Sequence, residues 1–321
     1  MPQELKIAML GPNAVGKTSL LTAMYEQFES TIGQTNLQLT PDLESAAILQ
    51  ERLGELKGLL DDFEPKGGIQ STENPRSFIF DLGKKGRKPS VRLHFRDYPG
   101  EYLAAKSSED NKKLVKDLLI ECVAVFIAID APALMEANGK WHDAINRPQQ
   151  ITNLFQAVYQ DIKSPRLVIL APVKCEKYLQ DVKSATTLVK RIKDGYANLF
   201  NLFSSEDLLP WVVNVVTPVQ TVGTVFFSRI EVIDGTPHFY FRKISHDAEY
   251  SPKDSEQLLR YLLRFVLKLH LDKQNWGWFN PIRAWLGWDE YLKQAARQAA
   301  NGCKSTDGFA VLQGEKWLNI G

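Results

Sequence analysis

The sequence predicts an α/β fold, a three-layer sandwich around a mainly parallel sheet with one antiparallel edge strand, plus insertions and a C-terminal appendage. Three observations predict it. Apolar runs at Cys122 to Ile129, Leu167 to Val173 and Trp211 to Val216 have the length and continuity of strands buried on both faces. Helix-compatible segments near 106–119, 148–162 and 185–200 separate them, as in a sheet covered on both sides. Upstream, Phe78/Phe80/Leu82 and Val91/Leu93/Phe95 alternate with other residues across the turn at 83–89, which reads as an antiparallel pair.

The elements follow in order. Leu5 to Leu10 is a short apolar run closed by Gly11-Pro12, and a helix-compatible stretch runs from Gly16 through Phe28, giving strand, loop, helix. Leu43, Ala46, Leu53, Leu56 and Leu60 recur at three- and four-residue steps after Pro41, so 42–62 is predicted as an amphipathic helix with Leu43, Leu53, Leu56 and Leu60 along one side. Residues 226–243 read as a hairpin turning at Asp234-Gly235. A long helix is predicted from Asp254 to about Asp272, with Ser251 and Pro252 as its start signals. Beyond it, Trp276, Trp278, Phe279, Trp285 and Trp288 cluster as a hydrophobic flap, before an Ala/Gln-rich helix and a strand-like run at Phe309 to Leu312.

Composition narrows the class. The 321 residues are 44% hydrophobic and 24% charged, which excludes collagen-like, low-complexity and wholly disordered chains. Lys+Arg 39 against Asp+Glu 38 leaves +1, so no broad basic footprint for nucleic acid is evident. The three cysteines, Cys122, Cys175 and Cys303, have no CxxC spacing and are expected to be reduced thiols. Residues 1–10 lack a signal-peptide pattern and no apolar run approaches the roughly 20 residues of a span, so a cytoplasmic chain without a transmembrane segment is expected.

Gly11-Pro12-Asn13-Ala14-Val15-Gly16-Lys17-Thr18 fits GxxxxGK[ST] and stands between a strand and a helix start. Successive backbone N–H groups from Asn13 to Ser19 can wrap a phosphate there, and the helix N-terminus adds positive potential. Lys17 would reach the β/γ-phosphates and the Thr18 hydroxyl would bind Mg²⁺. Arg96-Asp97-Tyr98-Pro99-Gly100-Glu101 closes the second strand of the antiparallel pair. Asp97 can hold the Mg²⁺ shell through water, and Gly100 can offer its N–H to the γ-phosphate. Lys174-Cys175-Glu176 follows an apolar strand, where a lysine stem can lie over a purine and a carboxylate can accept from guanine N1–H and its 2-amino group.

Together these elements resemble a Ras-like P-loop GTPase domain of the translation-factor-related class, over roughly residues 5–272. Val173-Lys174-Cys175-Glu176 departs from the [NT]KxD element of that class in having Val for Asn and Glu for Asp. Thr217-Pro218-Val219 to Gly223 stands where the class has its base-contacting loop, which assigns Thr217 and Val219 to the nucleotide. The resemblance asks for a first-switch threonine that binds Mg²⁺; Thr72 fits its place before the strand, while Thr31, Thr35 and Thr40 compete. Glu101 stands where many members carry a water-orienting Gln, which implies slow hydrolysis. The short motifs look most like the bacterial double-GTPase families of conflict and defence systems.

The resemblance implies residues 1–272 as a GTPase domain with a helical switch insert at 33–72 and a hairpin insert at 226–243, followed by an aromatic-rich appendage at 273–321. It implies GTP/GDP and Mg²⁺ as ligands, a partner protein or multi-subunit complex, and an order–disorder switch of two loops. Homodimerisation stays open. The rival readings are an ATP-using P-loop enzyme and a non-hydrolysing nucleotide-bound scaffold.

Overall fold

Strand β1 (Gln3–Leu10) lies at the middle of the sheet in the computed structural model, which describes residues 3–31, 37–64, 75–98, 108–271 and 290–320. It pairs in parallel with β4 (Val91–Asp97) on one side and β5 (Ala124–Asp130) on the other. Parallel pairing continues through β6 (Arg166–Val173) to β7 (Val212–Val216). β2 (Leu37–Pro41) and β3 (Arg76–Lys84) extend the other side by antiparallel pairing, β2 on β3 and β3 on β4. The α/β class with a mainly parallel sheet is as the sequence predicts. Antiparallel pairing occurs at both ends, because β10 (Ala310–Gln313) runs antiparallel on β7.

The pleat sorts the strand residues into two cores, which makes the sandwich three-layered. Leu5, Ile7 and Met9 point to the face covered by α1 (Lys17–Thr31) and α9 (Gln257–Leu271). Ala8 and Leu10 point to the face covered by α3 (Glu109–Glu121), α6 (Pro148–Val158), α7 (Val182–Gly195) and α8 (Ala197–Phe203). β5 and β6 are buried at every residue, as continuous apolar strands under two helix layers must be. Short helices α4 (Ala131–Met135) and α5 (His142–Asn146), which the apolar rhythm does not signal, fill the stretch after β5.

The insert expected at 33–72 differs from expectation in three ways. β2, unpredicted, precedes its helix. The helix itself, α2, spans Leu43–Gly58 and is capped by Asp42, whose side chain accepts from the Ser45 N–H. Its buried side is Ser45, Leu49, Arg52 and Leu56, while Leu43 is 92% exposed. Leu43 opens the first turn, where it projects away from the sheet.

The hairpin β8 (Val225–Ile233) and β9 (Thr236–Lys243) forms a sheet of its own, as predicted. Val225 packs with Leu56 of α2 and with Val222, and Lys243 Nζ donates to the carbonyls of Leu60 and His246.

Residues 290–320 pack on the rest of the chain. Helix α10 (Glu290–Asn301) places Ala295, Ala296 and Ala299 in the same core as α9, and β10 completes the sheet edge. The tryptophan cluster at 276–288 lies outside the described residues. Among the described residues no helix is long and apolar enough to cross a membrane.

Trp317 is 5% exposed and its indole N–H donates to the Pro210 carbonyl at 2.9 Å. Trp317→Ala is expected to cost about 3–5 kcal/mol in urea unfolding, the range of a large-to-small aromatic change in a core. An unchanged midpoint would mean that the C-terminal section is dispensable. Burial pushes the Cys122 thiol up to about 12 and the Cys303 thiol to about 11, and raises Cys175 well above its ordinary value. Iodoacetamide at pH 8 is therefore expected to leave the folded chain nearly unlabelled and to modify all three cysteines in guanidinium. Rapid labelling of the folded chain would contradict the packing.

Candidate functional site

The loop from Gly11 to Gly16 turns the chain from the end of β1 into α1 by leaving ordinary backbone conformations. Gly11 sits at φ 144°, and a Cβ there would meet the Ala128 carbonyl oxygen at 2.7 Å, so only glycine lets the loop pass β5. Ala14 and Gly16 also have positive φ, at 56° and 108°. Lys17, Thr18 and Ser19 then open the first turn of α1, whose amides have no acceptor within the helix.

Lys17 is 6% exposed, and its ammonium donates to the carbonyls of Gly11 at 3.2 Å and Pro12 at 3.1 Å. It lies 3.8 Å from Asp97 Oδ1. The β1–β4 register, Met9 opposite Asp97, puts this carboxylate beside the loop. Thr18 Oγ1 donates to Asp97 Oδ2 at 2.9 Å. Asp97 is fully buried and its Oδ1 has no hydrogen-bond partner among the described residues. Burial lowers the Lys17 pKa against the pull of Asp97, and raises that of Asp97 against the charge of Lys17, the Thr18 hydrogen bond, and the charges of Arg76 and Arg52. Asn13 and Ala14 are exposed on the loop, and Val15 is buried beneath it.

The second half of the site gathers at the ends of β6 and β7. Lys174 adopts φ 59°, and its ammonium donates to Asp130 Oδ2 at 2.6 Å, 5.7 Å from the centre of the Phe241 ring of β9. Asp130 also caps α4, accepting from the Ala133 N–H at 2.9 Å. Glu176 is 2% exposed, and its Oε1 accepts from the amides of Val222 at 3.2 Å and Gly223 at 3.0 Å. The carboxylate is thus turned onto the loop from Thr217 to Gly223, whereas the sequence reading sets it against guanine. Burial raises its pKa, with the loop N–H groups and then Lys174 acting against that rise. Val173 is buried in the core and supplies no fastening group. Thr217 and Val219 hold the loop to β6 through their amides, on the carbonyls of Leu170 and Pro172. The buried Thr217 Oγ1 has no hydrogen-bond partner.

The structure therefore brings Lys17, Thr18 and Asp97 together at one end, and Lys174, Glu176, Thr217 and Val219 at the other. Thr72, Gly100 and Glu101 lie outside the described residues. Asp130, Phe241 and Arg52 are neighbours that sequence spacing did not point to, since each arrives from a distant element. Among the described residues no group of three or more His, Cys, Asp or Glu could hold a metal ion.

Three comparisons bear on this arrangement. None of the curated proteins matches the chain. Among solved structures, the Saccharomyces cerevisiae Ski7 GTPase-like domain bound to GTP is 13% identical with a TM-score of 0.41, over 68% of this chain and 43% of that one. The signal recognition particle receptor SRb-GTP/SRX complex from Chaetomium thermophilum is 14% identical with a TM-score of 0.39, over 68% and 91%. A putative nucleolar GTP-binding protein 1 from Plasmodium falciparum is 12% identical with a TM-score of 0.31, over 69% and 79%. The Double-GTPase 2 family matches residues 6–208, more than half of the sequence and the span that holds the phosphate loop, Asp97 and the Lys174–Glu176 element. The chain belongs to the Double-GTPase 2 family.

Proposed function

We propose that the chain is a guanine-nucleotide switch that binds GTP with Mg²⁺, hydrolyses it slowly to GDP, and by the change of state controls a partner protein or complex, in the setting of bacterial defence. One observation carries the reading: a buried lysine, threonine and aspartate meet at a GxxxxGKT loop that opens a helix. Burying both a cation and an anion costs several kcal/mol per ion, which a packed apolar pair would avoid. A phosphate group is the ligand that such an arrangement suits.

The donor set fits Mg²⁺. Thr18 Oγ1 and Asp97 Oδ1, which faces Lys17 without a hydrogen bond, are hard oxygen groups beside the loop, and these two residues would hold the ion, Asp97 through water. Bound there, Mg²⁺ supplies neutralisation of charge on the phosphoryl oxygens. The chain does the rest. Lys17 exchanges the Gly11 and Pro12 carbonyls for phosphate oxygens, and the first-turn amides of α1 donate to the same group. Thr72 and Gly100 are proposed to sense the γ-phosphate, with Glu101 beside it. On the base side the Lys174 stem lies under the purine, and Glu176 fixes the loop from Thr217 to Gly223 from beneath, taking over the fastening that Val173 cannot provide.

Lys17→Ala is expected to abolish binding of a fluorescent guanine nucleotide, with unchanged circular dichroism. Retained affinity would remove the phosphate-loop assignment, and the nucleotide released on denaturing the purified protein identifies the base directly. Glu176→Ala is expected to weaken GTP and ATP in equal proportion, by roughly 5- to 150-fold, because it leaves two loop amides without an acceptor, a loss of about 1–3 kcal/mol. Competition assays decide it; a loss confined to GTP would make Glu176 the reader of guanine.

A further inference from the structure

We propose that a second copy of this chain pairs with the outer edge of β8, antiparallel and about a two-fold axis at Ile230, to form a reversible homodimer. β8 and β9 form a sheet of two strands, which is marginally stable unless a further strand or a packed helix supports it. Among the described residues that support lies at the root of the hairpin, where Val225 and Phe241 pack on Leu56 and Val222. Towards the tip, Val232 is 55% and Ile233 47% exposed. The two edges differ. The Lys243 N–H of β9 is taken by the Phe63 carbonyl, and Pro237, turned to the same outer side by the alternation of the ladder, has no N–H to offer. On β8 the residues opposite Phe239 and Pro237 are Ile230 and Val232, so their backbone groups are turned outward. Among the described residues no backbone hydrogen bond reaches β8 from any element but β9. Nor does β8 carry the Pro or Lys that blunts an exposed edge.

The sequence around Ile230 is complementary to itself. Antiparallel pairing centred there sets Arg229 opposite Glu231 of the second copy and Glu231 opposite Arg229 of the second copy, the same contact made twice by symmetry. The two Ile230 residues exchange backbone hydrogen bonds on the axis, and the irregularity at Ser228 confines regular pairing to this distal stretch. Arg229 and Glu231 stand on one face of the hairpin, opposite Tyr240 and His238, while Ile230 and Val232 stand on the other, opposite Phe239 and Pro237. The pairing therefore continues a polar face and an apolar one. A slip of one residue would mix the two faces, and centring on Glu231 would set two carboxylates together. Within one chain Arg229 donates to Glu231 at 2.7 Å and reaches Glu64 at 3.3 Å; both are exposed pairs, which exchange partners at little cost.

Sedimentation velocity of the full chain, from micromolar to sub-millimolar protein, tests the pairing. The wild type is expected to move reversibly from the monomer mass to twice that mass as concentration rises. Arg229→Glu and Glu231→Arg each set like charges opposite one another twice across the axis, and each alone is expected to weaken the dimer by roughly tenfold or more. An equimolar mixture of these two variants restores opposite charges at both places and is expected to return the dimer. Ile230→Lys brings two ammonium groups together on the axis and is also expected to be monomeric; it carries the measurement should either charge variant unfold by circular dichroism. A dimer that survives these substitutions, or a mixture that stays monomeric, would overturn the pairing. A wild type that stays monomeric would overturn it as well and leave the β8 edge to another segment of this chain or to a different protein.

Discussion

A lysine and an aspartate buried side by side set the terms for the rest of this structure. Lys17 and Asp97 are withdrawn from water, 3.8 Å apart, and each must be compensated by neighbours that the fold delivers. The phosphate loop offers two carbonyls to the ammonium, and the first turn of α1 offers the Thr18 hydroxyl to the carboxylate. Those contacts require β1 and β4 to pair in one register and the loop to pass within contact of Ala128, which only Gly11 permits. A slip of one residue between β1 and β4 would turn Asp97 to the other face and leave Lys17 buried without its counter-charge. The site and the centre of the sheet are therefore one structural problem.

The insert and the hairpin extend that problem to the base side. α2 starts on β3 and ends against Val222 and Val225, and the chain after it is held by Lys243, whose backbone N–H donates to the Phe63 carbonyl at 2.9 Å. Phe63 also stacks on His246 at 4.4 Å. The segment that leads into Thr72 is thus anchored on the hairpin that follows the base-side loop. In the proposed reading, the two ends of the nucleotide act on one helix. The hairpin earns its place by giving α2 an apolar partner, since Leu56, Leu59 and Leu60 would otherwise lie in solvent.

Legibility in the sequence divides along range. β5, β6 and β7 are continuous apolar runs, and the alternation in β3 and β4 matches their pleat, so local pattern sufficed. The phosphate loop is fixed by spacing alone. β2 escaped because five residues in which Gln38 and Thr40 alternate with Leu37 and Leu39 give too short an alternation to separate from a loop. The face of α2 was misplaced by one step. Counting leucines selects Leu43, yet the cap at Asp42 sets the rotation that buries Ser45 and Arg52. Nothing local tells that a serine and an arginine face inward; Ser45 accepts from the Ile79 N–H, 34 residues away, and the pairing of Arg52 with Glu55 on its own helix does not reveal which side of the helix is buried. The C-terminal strand was read as a strand, but its place beside β7 depends on a pairing about a hundred residues long in sequence.

Two buried carboxylates now stand out, and they are compensated in opposite ways. Glu176 Oε1 receives two backbone N–H groups, and the longer glutamate arm is what reaches them in a chain whose Val173 has no side-chain donor or acceptor. The two departures from the base-side motif are in that sense a matched pair. Asp97, in contrast, keeps one buried oxygen with no hydrogen-bond partner although three cations act on it. Of the two carboxylates, Glu176 is satisfied by the loop amides and Asp97 is left incomplete. In the proposed reading the incomplete oxygen is the one turned to Mg²⁺, and the loop that Glu176 steadies is already in place to receive the base.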